Sequence, residues 1–177
     1  APDYQLVCDH RSVCHTAIFT RLQPIRFKIP EYGLPGASLP LAVADFRAAD
    51  GRIFTVMGVH YTWPTAGGFQ QAQGVQTAAL LDRFPNDRAI LAGDFNSTPW
   101  SFSRQREDRR FGLERRTRAL FSWPAAQFSP WRLQLPFPFL PIDQVYAGSG
   151  WRTVSVKRGP RLGSDHFPVV VVLAPQP

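Results

Sequence analysis

Ala89-Ile-Leu-Ala-Gly-Asp-Phe-Asn-Ser-Thr-Pro-Trp100 decides how the chain is read, because an apolar run ends abruptly in an acid, an amide and two hydroxyls. A buried strand such as Ile90-Leu91-Ala92 asks for nothing polar. Asp94 and Asn96 at its carboxyl end therefore read as a site mounted on a rigid edge. In an extended chain alternate residues share a face, which points both side chains into one cleft. Pro99 stops the extended run, and Ser97 or Thr98 is placed to cap a following helix.

Upstream, Leu41 to Phe46 and Ile53 to His60 flank Ala48-Ala-Asp-Gly51, and Asp50-Gly51 between two apolar runs predicts a hairpin. From 69 to 83 the period changes: Ala72, Val75, Ala79 and Leu80 recur at spacings of three and four, which predicts a helix. A helical crossover of this length joins parallel strands. His60 and Asp94 then end on the same rim, where open α/β sheets bind ligands. Residues 15–22 read as an earlier strand, followed by a loop punctuated by Gly33, Pro35 and Gly36.

Downstream, residues 101–118 carry seven Arg against three acids on a helix expected after Pro99. Trp123, Phe128, Trp131, Phe137 and Phe139 then lie among five prolines from Pro124 to Pro141. That proline density excludes a central strand or helix and predicts a long irregular surface loop, either a lid on the core or a substrate-facing flap. Ile142 to Ala147, Trp151 to Lys157 and Phe167 to Leu173 complete the chain as three strands. Residues 1–177 show no internal repeat and no second-domain boundary.

A chain of 177 residues buries roughly 70% of its unfolded surface as one domain. Its 23 aromatics and 19% charged residues argue for a packed core. The net charge of +7 is carried by 18 Arg and two Lys. Such a balance suits an anionic partner, nucleic acid or an acidic membrane surface, because Arg forks pair bidentately with phosphate; a merely solvated basic surface is the plain alternative. No window reaches the ~20 apolar residues of a membrane span. Cys8 and Cys14 flank Asp9-His-Arg-Ser12. That spacing admits a disulfide, contributing about 2 kcal/mol and implying an oxidising, periplasmic or secreted setting. It also admits two half-buried thiols, or a weak metal site with His10 and His15.

Four polar spots fall at strand ends: His60, Asp94 with Asn96, Asp143, and Ser164-Asp165-His166. Singly they decide little, since a strand-end His is ordinarily structural and adjacent Ser-Asp-His side chains cannot form a triad. No Gly-x-Ser-x-Gly elbow, His-Glu-x-x-His or P-loop is present. In this order, Gly93-Asp-Phe-Asn96, Ile142-Asp-Gln-Val-Tyr146 and Gly163-Ser-Asp-His166 before a terminal apolar strand, with Val59-His60, resemble the endonuclease/exonuclease/phosphatase superfamily that includes deoxyribonuclease I.

The resemblance implies an α/β, deoxyribonuclease I-like sandwich of two mixed β-sheets flanked by helices, and a metal-dependent phosphoesterase. Asp94 would orient or deprotonate the attacking water, and Asn96 and His60 would contact the phosphate. His166 would do the same, paired with Asp143. Asp165 would help bind the metal, and hard oxygen donors point to Mg2+ or Mn2+. A nuclease is the expected activity, on the strength of the basic charge and the Arg-rich 104–118 segment. A phospholipid or sphingomyelin phosphodiesterase or a phosphatase is the alternative, and a non-catalytic module a third. Family members also carry an upstream strand ending in Asn and another ending in Gln-Glu, whose Glu binds metal. Neither occurs here, the glutamates being Glu31, Glu107 and Glu114. The resemblance therefore implies the C-terminal portion of the family domain, with an inner sheet short of strands.

Overall fold

A computed structural model describes residues 3–8, 14–27, 33–34, 37–64, 68–125 and 137–176. In chain order the elements are β1 (Gln5–Cys8), β2 (Ala17–Thr20), β3 (Arg26–Phe27), β4 (Gly33–Leu34), β5 (Ala37–Ser38), β6 (Leu41–Arg47), β7 (Ile53–His60) and α1 (Phe69–Leu81). A single 3-10 turn at Asn86–Arg88 then leads into β8 (Ala89–Asp94), α2 (Phe102–Phe111), β9 (Glu114–Arg115), β10 (Asp143–Ala147), β11 (Trp151–Arg158) and β12 (Val169–Pro175). Several expectations lie outside the described residues: His10, Glu31, Pro35 with Gly36, and the part of the proline-rich loop holding Phe128 and Trp131.

The expected hairpin is β6–β7, antiparallel from Leu41 opposite Val59 to Arg47 opposite Ile53. Gly51 turns it at φ 81°, in the left-handed region that glycine enters without steric cost. Helix α1 carries the chain back so that β8 runs parallel to β7, with Thr55 opposite Ala89 and His60 opposite Asp94. These strands are the centre of a six-stranded mixed sheet in the order β3-β6-β7-β8-β10-β9.

Alternation then sorts the side chains. Met57, Val59 and Leu91 bury against Leu80 and Leu81 of α1 and Phe111 of α2. On the opposite face Ala44, Phe46, Phe54 and Val56 meet Val7 and Ile18 from the β1–β2 ribbon. Trp151, which opens β11, packs edge-on against Phe54 at 5.3 Å. The sandwich is thus helices, six-stranded sheet, and a second β layer. Among the described residues that second layer is made of two antiparallel ribbons, β1–β2 and β11–β12, that do not pair with each other.

Cys8 and Cys14 form a disulfide, so of the three readings left open by their spacing the cross-link is the one adopted. Helix α2 is capped by the Ser101 hydroxyl, which accepts from the Arg104 amide. It stops at Gly112, whose φ of 63° ends it well short of residue 118. Within α2, Arg104 is 1% exposed, ion-paired with Glu107 and enclosed by the rings of Tyr61, Phe95 and Phe111.

Removing one partner of a buried pair strands the other charge in a low-dielectric interior. Glu107→Ala is therefore expected to lower the unfolding free energy by about 3–5 kcal/mol. Urea denaturation of both proteins measures this, and a loss below about 1 kcal/mol would place Arg104 in contact with water.

Candidate active site

Strand pairing sets the site before any side chain is considered. His60 ends β7, Asp94 ends β8 and Asp143 begins β10, and Asp94 is the backbone partner of both neighbours. The three side chains stand in a row across the sheet, on the face turned away from α1 and α2. Gly93 makes this approach possible, because a Cβ there would lie 1.8 Å from the Val59 carbonyl oxygen. His166 comes from the β11–β12 loop, and its Nδ1 lies 2.7 Å from Asp143 Oδ2. The His60 and His166 Nε2 atoms sit 3.7 and 3.8 Å from Asp94 Oδ2. His60, Trp63, Asp94, Asn96, Trp123, Asp143, Asp165 and His166 line one cleft of about 430 Å³. Every residue expected from sequence at the catalytic centre is brought to that cleft.

Asn96 does more than the sequence suggested. Its backbone takes the left-handed φ of 46°, a conformation Asn tolerates better than most residues. Its amide N–H donates to Asp94 Oδ1 at 2.8 Å, and its Nδ2 donates to the Tyr61 carbonyl at 2.8 Å. Asn96 thus ties the end of β8 to the end of β7. Two glutamines unassigned in the sequence clamp the same turn. Gln70 Nε2 on α1 donates to the carbonyls of Thr62, Phe95 and Asn96, while Gln144 Nε2 on β10 donates to that of Ser97. Gln144 lies inside the quoted Ile142–Tyr146 stretch and was legible as a polar residue in a strand. Gln70 and Trp63 carried no signal.

Burial pushes the Asp94 carboxyl up to about 6; Asp143 adds to the rise, while the Asn96 amide, His166 and His60 oppose it. For His166 burial pulls the imidazole down. The hydrogen bond and charge of Asp143, with Asp94 and Asp165, outweigh that and leave its pKa above the usual 6.5. A carboxyl that holds its proton longer thus faces an imidazole that holds its charge longer.

Asp94, Asp143 and His166 offer ligand atoms within 4.8 Å of one another. Carboxylate oxygens with one imidazole and no thiolate fit a hard divalent cation. Asp165 lines the same cleft as a further oxygen donor. Of the glutamates, Glu107 pairs with Arg104 and Glu114 with Arg116, so among the described residues none reaches the cleft.

The model of the endonuclease/exonuclease/phosphatase family matches residues 8–166. The chain belongs to that family. Membership places it among phosphoesterase-type hydrolases, which generally use divalent metals. No curated protein matches the chain. Among solved structures, an endonuclease/exonuclease/phosphatase from Bacteroides vulgatus superposes with a TM-score of 0.76 at 16% identity, covering 99% of this chain and 77% of that one. A mannosyl-6-phosphatase from Bacteroides thetaiotaomicron gives 0.65 at 20% identity, covering 97% and 76%. A sphingomyelinase C from Streptomyces griseocarneus gives 0.58 at 18%, covering 88% and 66%. At these identities the likeness is one of fold, a deoxyribonuclease I-like sandwich.

Two measurements follow from the electrostatics. Since Asp94 holds its proton more tightly in the folded state, its contribution is most favourable below the unfolded value of 3.8 and is lost as pH rises through about 6. In chelator, Asp94→Asn should therefore raise the unfolding free energy by roughly 1–3 kcal/mol at pH 8 and by almost nothing at pH 4. Equal gains at both pH values would contradict burial as the cause. Asp143→Asn should move the His166 titration, followed by NMR, to lower pH; an unmoved titration would mean that Asp143 does not set it.

Proposed function

We propose that this chain hydrolyses a phosphoester by direct attack of water, with a divalent cation, Mg2+ or Mn2+, as cofactor. The observation that carries the reading is the in-register row of His60, Asp94 and Asp143 completed by His166. Asp94 accepts the proton of the attacking water as its oxygen bonds phosphorus and the ester oxygen leaves, a role suited to a carboxyl raised to about 6. His166, whose charged form Asp143 favours, and His60 face the phosphate as donors. Asn96 has a second Nδ2 hydrogen beyond the one given to Tyr61, available to a phosphate oxygen. A cation on the cleft carboxylates, Asp165 among them, would polarise the phosphoryl oxygens.

On substrate, a nuclease is supported by the net charge of +7 and by the arginines of 104–118. Arg104 is enclosed, Arg115 pairs with Asp108, and Arg116 pairs with Glu114 while donating to the carbonyls of Ala147, Gly148 and Trp151. Strand β9 sits opposite Tyr146 and Ala147, at the end of β10 away from Asp143. Arg115 and Arg116 thus brace the far edge of the sheet and Arg104 lies in the core, while Arg106, Arg109, Arg110 and Arg118 stay exposed. The cleft wall is instead aromatic: Trp63 meets Trp123 edge-on at 6.0 Å, and Trp123 meets Phe139 at 5.9 Å. We therefore favour a phosphoester carrying an apolar group, a phospholipid or sphingomyelin phosphodiester. The disulfide suits an oxidising, extracytoplasmic setting.

Hydrolysis of sphingomyelin and phosphatidylcholine in detergent micelles and of bis(4-nitrophenyl) phosphate, with Mg2+, Mn2+ or EDTA, tests this. Activity should require metal and fall by roughly 10²- to 10⁴-fold in Asp94→Asn and in His166→Ala, both still folded. Plasmid nicking that outpaces lipid hydrolysis and depends on Asp94 would return the substrate to nucleic acid. Equal rates in wild type and both variants would make the chain a non-catalytic module.

A further inference from the structure

The loops that build the cleft edge share a property that catalysis does not use: they carry large apolar side chains pointing into water. Trp63 follows β7, Trp100 and Phe102 follow β8, Phe137 and Phe139 precede β10, and Leu162 lies in the β11–β12 loop. Phe102 is 90% exposed and Leu162 72% exposed. Among the described residues the other exposed aromatics are Tyr4 and Phe19 on the β1–β2 ribbon, Phe69 at the start of α1 and Phe121 two residues before Trp123.

Helix geometry explains why Phe102 cannot serve the core. Arg104, Glu107 and Phe111 define the buried side of α2, and Phe102 stands outside it, one turn from the exposed Arg106. Neither Phe102 nor Leu162 stabilises the fold at such exposure, and exposed apolar groups gathered on one edge mark an interaction surface. The cations nearby are Arg106, Lys157, Arg158 and Arg161, all exposed. The acids of the described loops and strand ends at this edge are Asp94, Asp143 and Asp165, and all three line the cleft. The edge is thus an apolar rim with basic neighbours around an acidic centre.

We infer that this rim, Trp63, Trp100, Phe102, Phe137, Phe139 and Leu162, seats the cleft on the surface of an anionic phospholipid bilayer, so that the phosphoester is taken from a lipid headgroup in place. The inference rests on the reading of the cleft as a phosphoester hydrolase and names where its substrate lies. Trp and Phe rings with basic flanks are the side chains that enter the headgroup–acyl boundary, to a depth of about 5–10 Å. Anionic headgroups answer the arginines and the lysine. A single-stranded nucleic acid answers the same charges, but it stacks its bases on aromatic faces along a groove. Leu162 has no face to stack on, and Phe102 projects from a helix start instead of lining a groove.

The test separates docking from chemistry. Wild type in EDTA should float with vesicles of phosphatidylcholine containing phosphatidylglycerol, more weakly with pure phosphatidylcholine, and less at high salt. Trp100→Ser combined with Phe102→Ser should lower the partition coefficient roughly 10-fold or more, while its thermal melting and its hydrolysis of soluble bis(4-nitrophenyl) phosphate match wild type. Phe102→Ser alone and Arg106→Glu give intermediate losses if the double variant folds poorly. Wild type that ignores vesicles, or a double variant that floats like wild type, overturns the inference. So does a double variant that keeps its vesicle binding but loses affinity for single-stranded oligonucleotide. If wild type does not cleave the soluble ester, the hydrolase reading fails by itself, and flotation still decides the docking.

Discussion

The backbone pairing of β8 with β7 on one side and β10 on the other is the constraint on which the site depends. It fixes His60, Asp94 and Asp143 as neighbours without asking anything of their side chains. Burial raises the cost of ionising the Asp94 carboxyl, and the Asp143 charge held this close adds to it, which is why Asp94 departs so far from an ordinary carboxyl. A fold gains nothing from such a row in the absence of a ligand. The sheet supports it because Met57, Val59, Leu91 and the two helices stabilise the opposite face.

Precision comes from polar groups one layer back. The turn from Phe95 to Ser97 must present Asp94 and Asn96 while leaving no buried carbonyl unpaired. Gln70 and Gln144 solve both problems, each reaching in from a different element to occupy those carbonyls. Gln144 is held in turn by Tyr146, whose hydroxyl donates to Gln144 Oε1 and approaches Asp108 Oδ1 at 2.7 Å. The chain of contacts runs from α2 through β10 to the site loop. Helix α2 is thereby connected, through Asp108, Tyr146 and Gln144, to the turn that follows Asp94.

Much of this was legible in the sequence, and the reasons differ by element. The β6–β7 hairpin, α1 and β8 announce themselves by period and by Asp50-Gly51, because local chemistry and tertiary burial agree there. His60 and Asp94 were readable as polar breaks ending apolar runs, and Asp143 and His166 as polar residues ahead of apolar ones. Strand β1 was not, since only Val7 of its four residues is buried, and two-residue β9 exists only because β10 is beside it. The glutamine clamps were hidden because a buried Gln looks like a surface Gln until its partners are assembled. The two ribbons of the second layer depend on long-range packing that no local pattern records.

The arginines show that composition does not say where charge is presented. A net charge of +7 is a property of the whole chain, whereas recognition depends on where the charges can reach. Arg104 looks in sequence like part of a basic helix face, but the rings of Tyr61 and Phe95, just past β7 and β8, and of Phe111 on α2 close over it and Glu107 neutralises it. Arg115 and Arg116 are bound into the far edge by carboxylates and carbonyls. Once those are set aside, exposed cations such as Arg106 and Arg161 stand close in the chain to exposed Phe102 and Leu162. Charge alone would draw any polyanion. Charge beside an apolar rim draws an anion attached to something that excludes water, which is the ground on which a lipid headgroup is proposed as substrate.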